Sequence, residues 1–149
     1  MPEIEFLLLA DHAEAHNGKL TIVGGGWTEH RRQVADAKRP PVTHLGIGVG
    51  VLVPWTQTNR AFQLVVRLED EDGGVHANVE GKLEVGRPAG LPQGSDQRAV
   101  FALNVNTVFP GPGGYRVVAT IPGEGGTEAR MSTVSFRVVD TVRQRPGNG

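Results

Sequence analysis

From Val75 to Val85 the chain alternates without a break. Val75, Ala77, Val79, Gly81, Leu83 and Val85 are apolar or small, and His76, Asn78, Glu80, Lys82 and Glu84 are polar. A period of two sends successive side chains to opposite faces, so the segment reads as a strand with one dry and one wet face. The period recurs in Phe62, Leu64, Val66 and Leu68, in Phe101, Leu103 and Val105, in Tyr115, Val117, Ala119 and Ile121, and in Val134, Phe136 and Val138. Turn residues separate these runs: Asn17-Gly18, Pro54 to Asn59, Asp72-Gly73-Gly74, Pro110 to Gly114 and Pro122 to Gly126. No segment carries a convincing helical period. The expected fold is therefore all-β, a single-domain antiparallel β-sandwich of about eight strands over residues 1–142, with 143–149 as a flexible tail. Thr28 to Pro41 reads as a loop, with room for one helical turn before Pro40-Pro41 stops it.

Composition narrows the function classes. The 149 residues suffice for a core without metals or disulfides. A net charge of −1 supplies no overall field to recruit nucleic acid or an acidic membrane, and 5% aromatic residues leave little for base stacking. With no cysteine, thiolate catalysis and Cys-ligated metal are excluded. The start, MPEIEFLLLA, has acids where a secretory signal needs Lys or Arg, and no run reaches membrane-span length. A cytoplasmic protein with no cofactor is expected.

Two resemblances add to this. The stretch PEIEFLLLADHAEAHNGKLTIVGGGW, followed by HLGIGVGVLVPW, resembles a family of small uncharacterised bacterial proteins known only as a domain of unknown function. The similarity spans nearly the whole chain and carries over no catalytic residue. PGPGGYRVVATIPGE, followed by STVSFRVV, is similar to the last two strands of immunoglobulin-like sandwiches. That likeness implies a corner at Tyr115 whose hydroxyl bonds back to nearby backbone.

Candidate chemistry is sparse. Asp11, His12 and His16 gather three potential ligands within six residues. On a strand, though, His12 and His16 stand about 13 Å apart, so solvated turn residues are expected rather than a metal centre. Glu69 to Asp72 places four acids at a hairpin tip, and Asp70 and Asp72 are the candidate calcium ligands there; a solvated Asp-Gly turn accounts for the same residues. Gly24-Gly25-Gly26 lacks the helix and the Lys of a phosphate loop and reads as a bulge covered by Trp27. His30-Arg31-Arg32 and Lys38-Arg39 make a locally basic, solvated loop. No serine lies in a nucleophile elbow, and no Ser–His–Asp set assembles, so an enzyme is not expected.

The strand His44 to Val53 sets Leu45, Ile47, Val49, Val51 and Val53 on a core face and Gly46, Gly48, Gly50 and Leu52 on the other. A face meant for water carries polar groups, and this one is bare. The first strand is apolar on both sides as well, with Leu7 and Leu9 opposite Ile4, Phe6 and Leu8. Either Trp27 or Trp55 lies across the glycines, or another subunit docks there against Leu7, Leu9 and the glycine track. The expected function is a non-enzymatic interaction module, a homo-oligomer or one docking on another bacterial protein. A loop-based metal- or small-ligand-binding sandwich is the alternative.

Overall fold

A computed structural model describes residues 1–36 and 38–142. The expected tail, 143–149, lies outside the described residues. The elements are β1 (Glu3–His16), β2 (Lys19–Gly25), β3 (Glu29–Val34), β4 (Val42–Val53), a short 3-10 turn (Trp55–Gln57), β5 (Ala61–Asp70), β6 (Val75–Glu84), β7 (Gln97–Val108), β8 (Gly113–Ile121) and β9 (Arg130–Val142). They form two sheets, ordered β2-β1-β4-β7 and β3-β9-β8-β5-β6. The architecture is a β-sandwich.

The two-residue period places the core. Leu45, Ile47, Val49, Val51 and Val53 from β4 meet Phe62, Leu64, Val66 and Leu68 from β5 and Tyr115, Val117, Ala119 and Ile121 from β8, all buried in one cluster. Asn17 and Gly18 both take positive φ, 51° and 71°, which is the twist that closes a tight hairpin between β1 and β2.

Two expectations change. The strands among the described residues number nine, because part of the segment expected as a loop is β3, which pairs with β9 in parallel and makes that sheet mixed. Arg32, expected in solvent, is 5% exposed. Its Nε donates to Asp140 Oδ1 at 2.6 Å and its Nη1 to the Phe109 carbonyl at 2.6 Å. A buried guanidinium is tolerated only with such partners, and stripping one from a buried pair costs about 3–5 kcal/mol.

β1 does more than pair. It runs beside β4 only as far as Ala10 opposite Gly46. Beyond that point its backbone crosses the outer face of β4 and reaches β7. There the Ala13 N–H donates to Asn104 Oδ1 at 3.1 Å, and Asn104 Nδ2 donates to the Ala13 carbonyl at 2.8 Å. The β1–β2 hairpin thus lies as a cover over its own sheet.

Candidate functional site

That cover accounts for the glycines. A Cβ on Gly46 would stand 2.6 Å from the His12 carbonyl carbon and 2.7 Å from the Ala13 nitrogen. One on Gly48 would meet Leu20 at 2.8 Å and Ile22 at 3.0 Å, and one on Gly50 would run into the Phe6 ring. All three glycines are buried within the single chain. Neither tryptophan is the cover: Trp27 packs edge-on against Phe136, and Trp55 lies under the Arg87 guanidinium. Leu7 and Leu9 do not belong to this face. They sit opposite Val49 and Ile47 on the inner side, 7% and 1% exposed, and it is Phe6, Leu8 and Ala10 that share the glycine side. Leu52 is half-buried.

An uncovered apolar surface lies elsewhere. β6 and β7 each end their sheet, and between them opens a cleft of about 310 Å³ lined by Leu64, Val66, Val79, Leu83, Phe101 and Leu103, among others. Val79 is 38% exposed. Gly81 faces the same cleft, and a Cβ there would meet no atom of the described residues within 4 Å. On the outer face β6 carries Asn78, Glu80, Lys82 and Glu84, all exposed. Glu80 accepts from Asn78 at 3.2 Å and from Gln63 at 3.5 Å.

The expected ligand clusters are arranged otherwise than by sequence proximity. Asp11 turns towards Gly24. His12 Nε2 and His16 Nε2 contact opposite oxygens of Glu14, at 3.1 and 3.2 Å. Those hydrogen bonds, from His12 first and His16 second, hold the Glu14 carboxyl below its ordinary range. The second partner of His12 is His44, its Nε2 3.2 Å from His12 Nδ1. His44 is in turn tied through Nδ1 to Asn106 Oδ1 at 2.8 Å. Among the described residues no three His, Asp or Glu side chains converge as a metal centre.

At the acidic tip, Asp70 is spent on its own turn. Oδ1 accepts from the backbone N–H groups of Asp72 and Gly74 at 2.9 and 2.8 Å, and Oδ2 pairs with His76 Nε2 at 2.9 Å. The His76 bond is the main cause that lowers the Asp70 pKa. Asp72 contributes a backbone donor to that turn. The Tyr115 hydroxyl donates to the Gly111 carbonyl at 2.7 Å while its ring packs 4.6 Å from Phe109.

Residues 5–134 match the model of a family of unknown function, DUF6941. The chain belongs to that family. No curated protein matches it. DUF6941 membership assigns no chemistry, so the sites rest on geometry alone. Sequence reasoning missed His44 and Asn106 because they meet His12 only through the pairing of three strands. It also missed the β6 edge, whose alternation looks complete until the missing neighbour is noticed. A ten-residue edge strand with no proline is the signal that could have found it.

Proposed function

We propose that this chain is a non-enzymatic assembly module of the bacterial cytoplasm, and that it self-associates along β6 about a twofold axis at Gly81. The observation that carries the reading is a strand whose outer edge has no partner among the described residues, backed by an open apolar cleft, and whose charges complement a second copy of themselves. In an antiparallel pairing centred on Gly81, Glu80 stands opposite Lys82 of the second copy, and Lys82 opposite its Glu80. On the cleft side Val79 then meets Leu83 in both directions, and the two Gly81 residues face each other. Moving the centre by one residue is unfavourable either way. Centred on residue 80, Glu80 opposes itself. Centred on residue 82, Lys82 opposes itself and Glu80 opposes Glu84. Register is therefore specified by charge as well as by face.

The edge is open to this use. From Ala77 to Glu84, β6 has no proline, no bulge and no charge pointing into the cleft, three of the devices that protect edges; its outward Glu80, Lys82 and Glu84 guard it against strands that do not match their signs. A cysteine-free composition accords with a reducing compartment.

Light scattering tests it. Wild type should run as a dimer at high micromolar concentration. Lys82→Glu sets Glu opposite Glu twice and should weaken the dimer about tenfold or more, equivalent to about 1.4 kcal/mol. The double variant Glu80→Lys/Lys82→Glu restores both pairs and should restore the dimer. A monomeric wild type, or a double variant no better than the single, would sink the proposal.

A further inference from the structure

We propose that His12 and His44 form a surface site for a divalent late first-row transition ion of the zinc or copper type, held between His12 Nδ1 and His44 Nε2. The inference is independent of the β6 surface. His44 Nδ1 stands 2.8 Å from Asn106 Oδ1, an oxygen that can only accept, so that nitrogen carries the ring proton. His12 Nε2 stands 3.1 Å from a Glu14 carboxylate oxygen, so that nitrogen carries its proton too. Each ring has spent its N–H outwards and turns a lone pair towards the other, 3.2 Å away. Two facing lone pairs repel unless a cation joins them.

The dimensions suit such an ion. Two imidazole nitrogens, each about 2.0–2.1 Å from a tetrahedral ion, stand about 3.3 Å apart. The ring planes are 22° from parallel and the centroids 5.5 Å apart, so with the nitrogens at 3.2 Å the rings meet edge to edge. A modest turn of each ring brings both lone pairs onto one ion. Behind each ring stands the outer support that metal-bound imidazoles use, a carboxylate on His12 and an amide oxygen on His44. The scaffold is built into the fold: His44 lies opposite Asn106 in the β4–β7 ladder, and the crossing hairpin carries His12 over, held by the Asn104 bonds to Ala13. Glu14 and His16 lie beyond the far nitrogen of His12. The site therefore has two protein ligands, and water fills the remaining positions at a side chain 43% exposed. Neutral imidazoles select ions of this class, with copper(II) ahead of zinc.

Calorimetric titration of the full chain with Cu²⁺ and with Zn²⁺ tests this, alongside electron paramagnetic resonance of the copper form. The expected result is one ion per chain, copper tighter than zinc, with nitrogen ligation in the spectrum. His44→Gln and His12→Gln should each lose at least tenfold in affinity with circular dichroism unchanged, whereas His16→Gln should leave binding intact. Asn106→Leu, which removes the outer support, should weaken it about tenfold or more. No saturable binding would overturn the site. So would binding retained in His44→Gln, or imidazole nitrogen resonances that report a proton shared by the two rings and do not respond to zinc. If His12→Gln fails to fold, His44→Gln decides alone.

Discussion

Strands β4 and β6 both interrupt an apolar pattern with glycine, and the two settings are opposite. On β4 each glycine is pressed by atoms of the same chain: β1 backbone over Gly46, Leu20 and Ile22 over Gly48, and the Phe6 ring over Gly50. On β6 no atom of the described residues comes within 4 Å of where a side chain on Gly81 would begin. Glycine costs roughly 0.5–1 kcal/mol in a strand. At β4 that cost is offset inside the monomer, because Leu20, Ile22 and Phe6, each half-buried, pack against bare backbone. At β6 the monomer shows no such return. A glycine in a strand thus marks a close approach, and the strand's neighbours tell whether the approaching part is already present.

The largest effect should come from filling the tightest contact. Gly46→Val pushes carbon into peptide atoms of His12 and Ala13, which Asn104 holds from the far side. Backbone pinned in this way cannot yield as a side chain can, so the variant should lose about 3 kcal/mol in urea unfolding. A midpoint equal to wild type would mean that the hairpin does not cross at Gly46.

Asn104→Ala removes the pin instead of the space. The buried Ala13 then loses a donor and an acceptor together, which should cost about 2 kcal/mol. The crossing should also loosen, seen as faster amide exchange at His12 to Ala15 with the β5–β8 amides unchanged. Uniform loss of protection across the sandwich would show that the hairpin is part of the global folding unit rather than a separate cover.

How much of this could be read from sequence depends on how local each cause is. The inner face of β4 and the apolar sets of β5 and β8 follow from alternation alone, because burial on one side writes itself into every second residue. β1 is apolar on both sides, so alternation separates Leu7 and Leu9 from Phe6 and Leu8 but cannot say which pair faces inwards. β3 escaped notice because its inward residue is Arg32, and the partner that makes burial tolerable, Asp140, lies 108 residues away. The His12–His44–Asn106 row is invisible for a related reason: three strands must be placed in register before those side chains are neighbours. The glycine track announced a close approach, yet Phe6, Leu20 and Ile22 carried no sign that they would supply it.

Gly48→Ala belongs between the extremes. The atoms in its way are methyl ends of Leu20 and Ile22, at 2.8 and 3.0 Å, and methyl ends can shift where backbone cannot. A cost of about 1 kcal/mol is expected, with additional relief in a Leu20→Ala background. If Gly48→Ala costs as much as Gly46→Val, side-chain and backbone covers are equally rigid and the grading within β4 fails.

The smallest effect, and the one of opposite sign, is expected at Gly81. Adding a methyl there meets empty space and removes the strand penalty of glycine, so Gly81→Ala should raise the unfolding midpoint by the equivalent of about 0.5–1 kcal/mol. Residues directly opposed in an antiparallel pair have their Cβ atoms about 4.5–5.5 Å apart, so two alanines facing each other across the proposed twofold also fit, and the dimer should persist. Measuring stability and mass on the same samples separates the possibilities. A higher midpoint with the dimer intact keeps the contrast between the two strands as drawn. A lower midpoint with the dimer lost would move the close approach at Gly81 into the interface itself, making β6 the intermolecular counterpart of β4. A lower midpoint in a protein that is monomeric throughout would break the comparison, because glycine would then be required at a position where no neighbouring atom explains it.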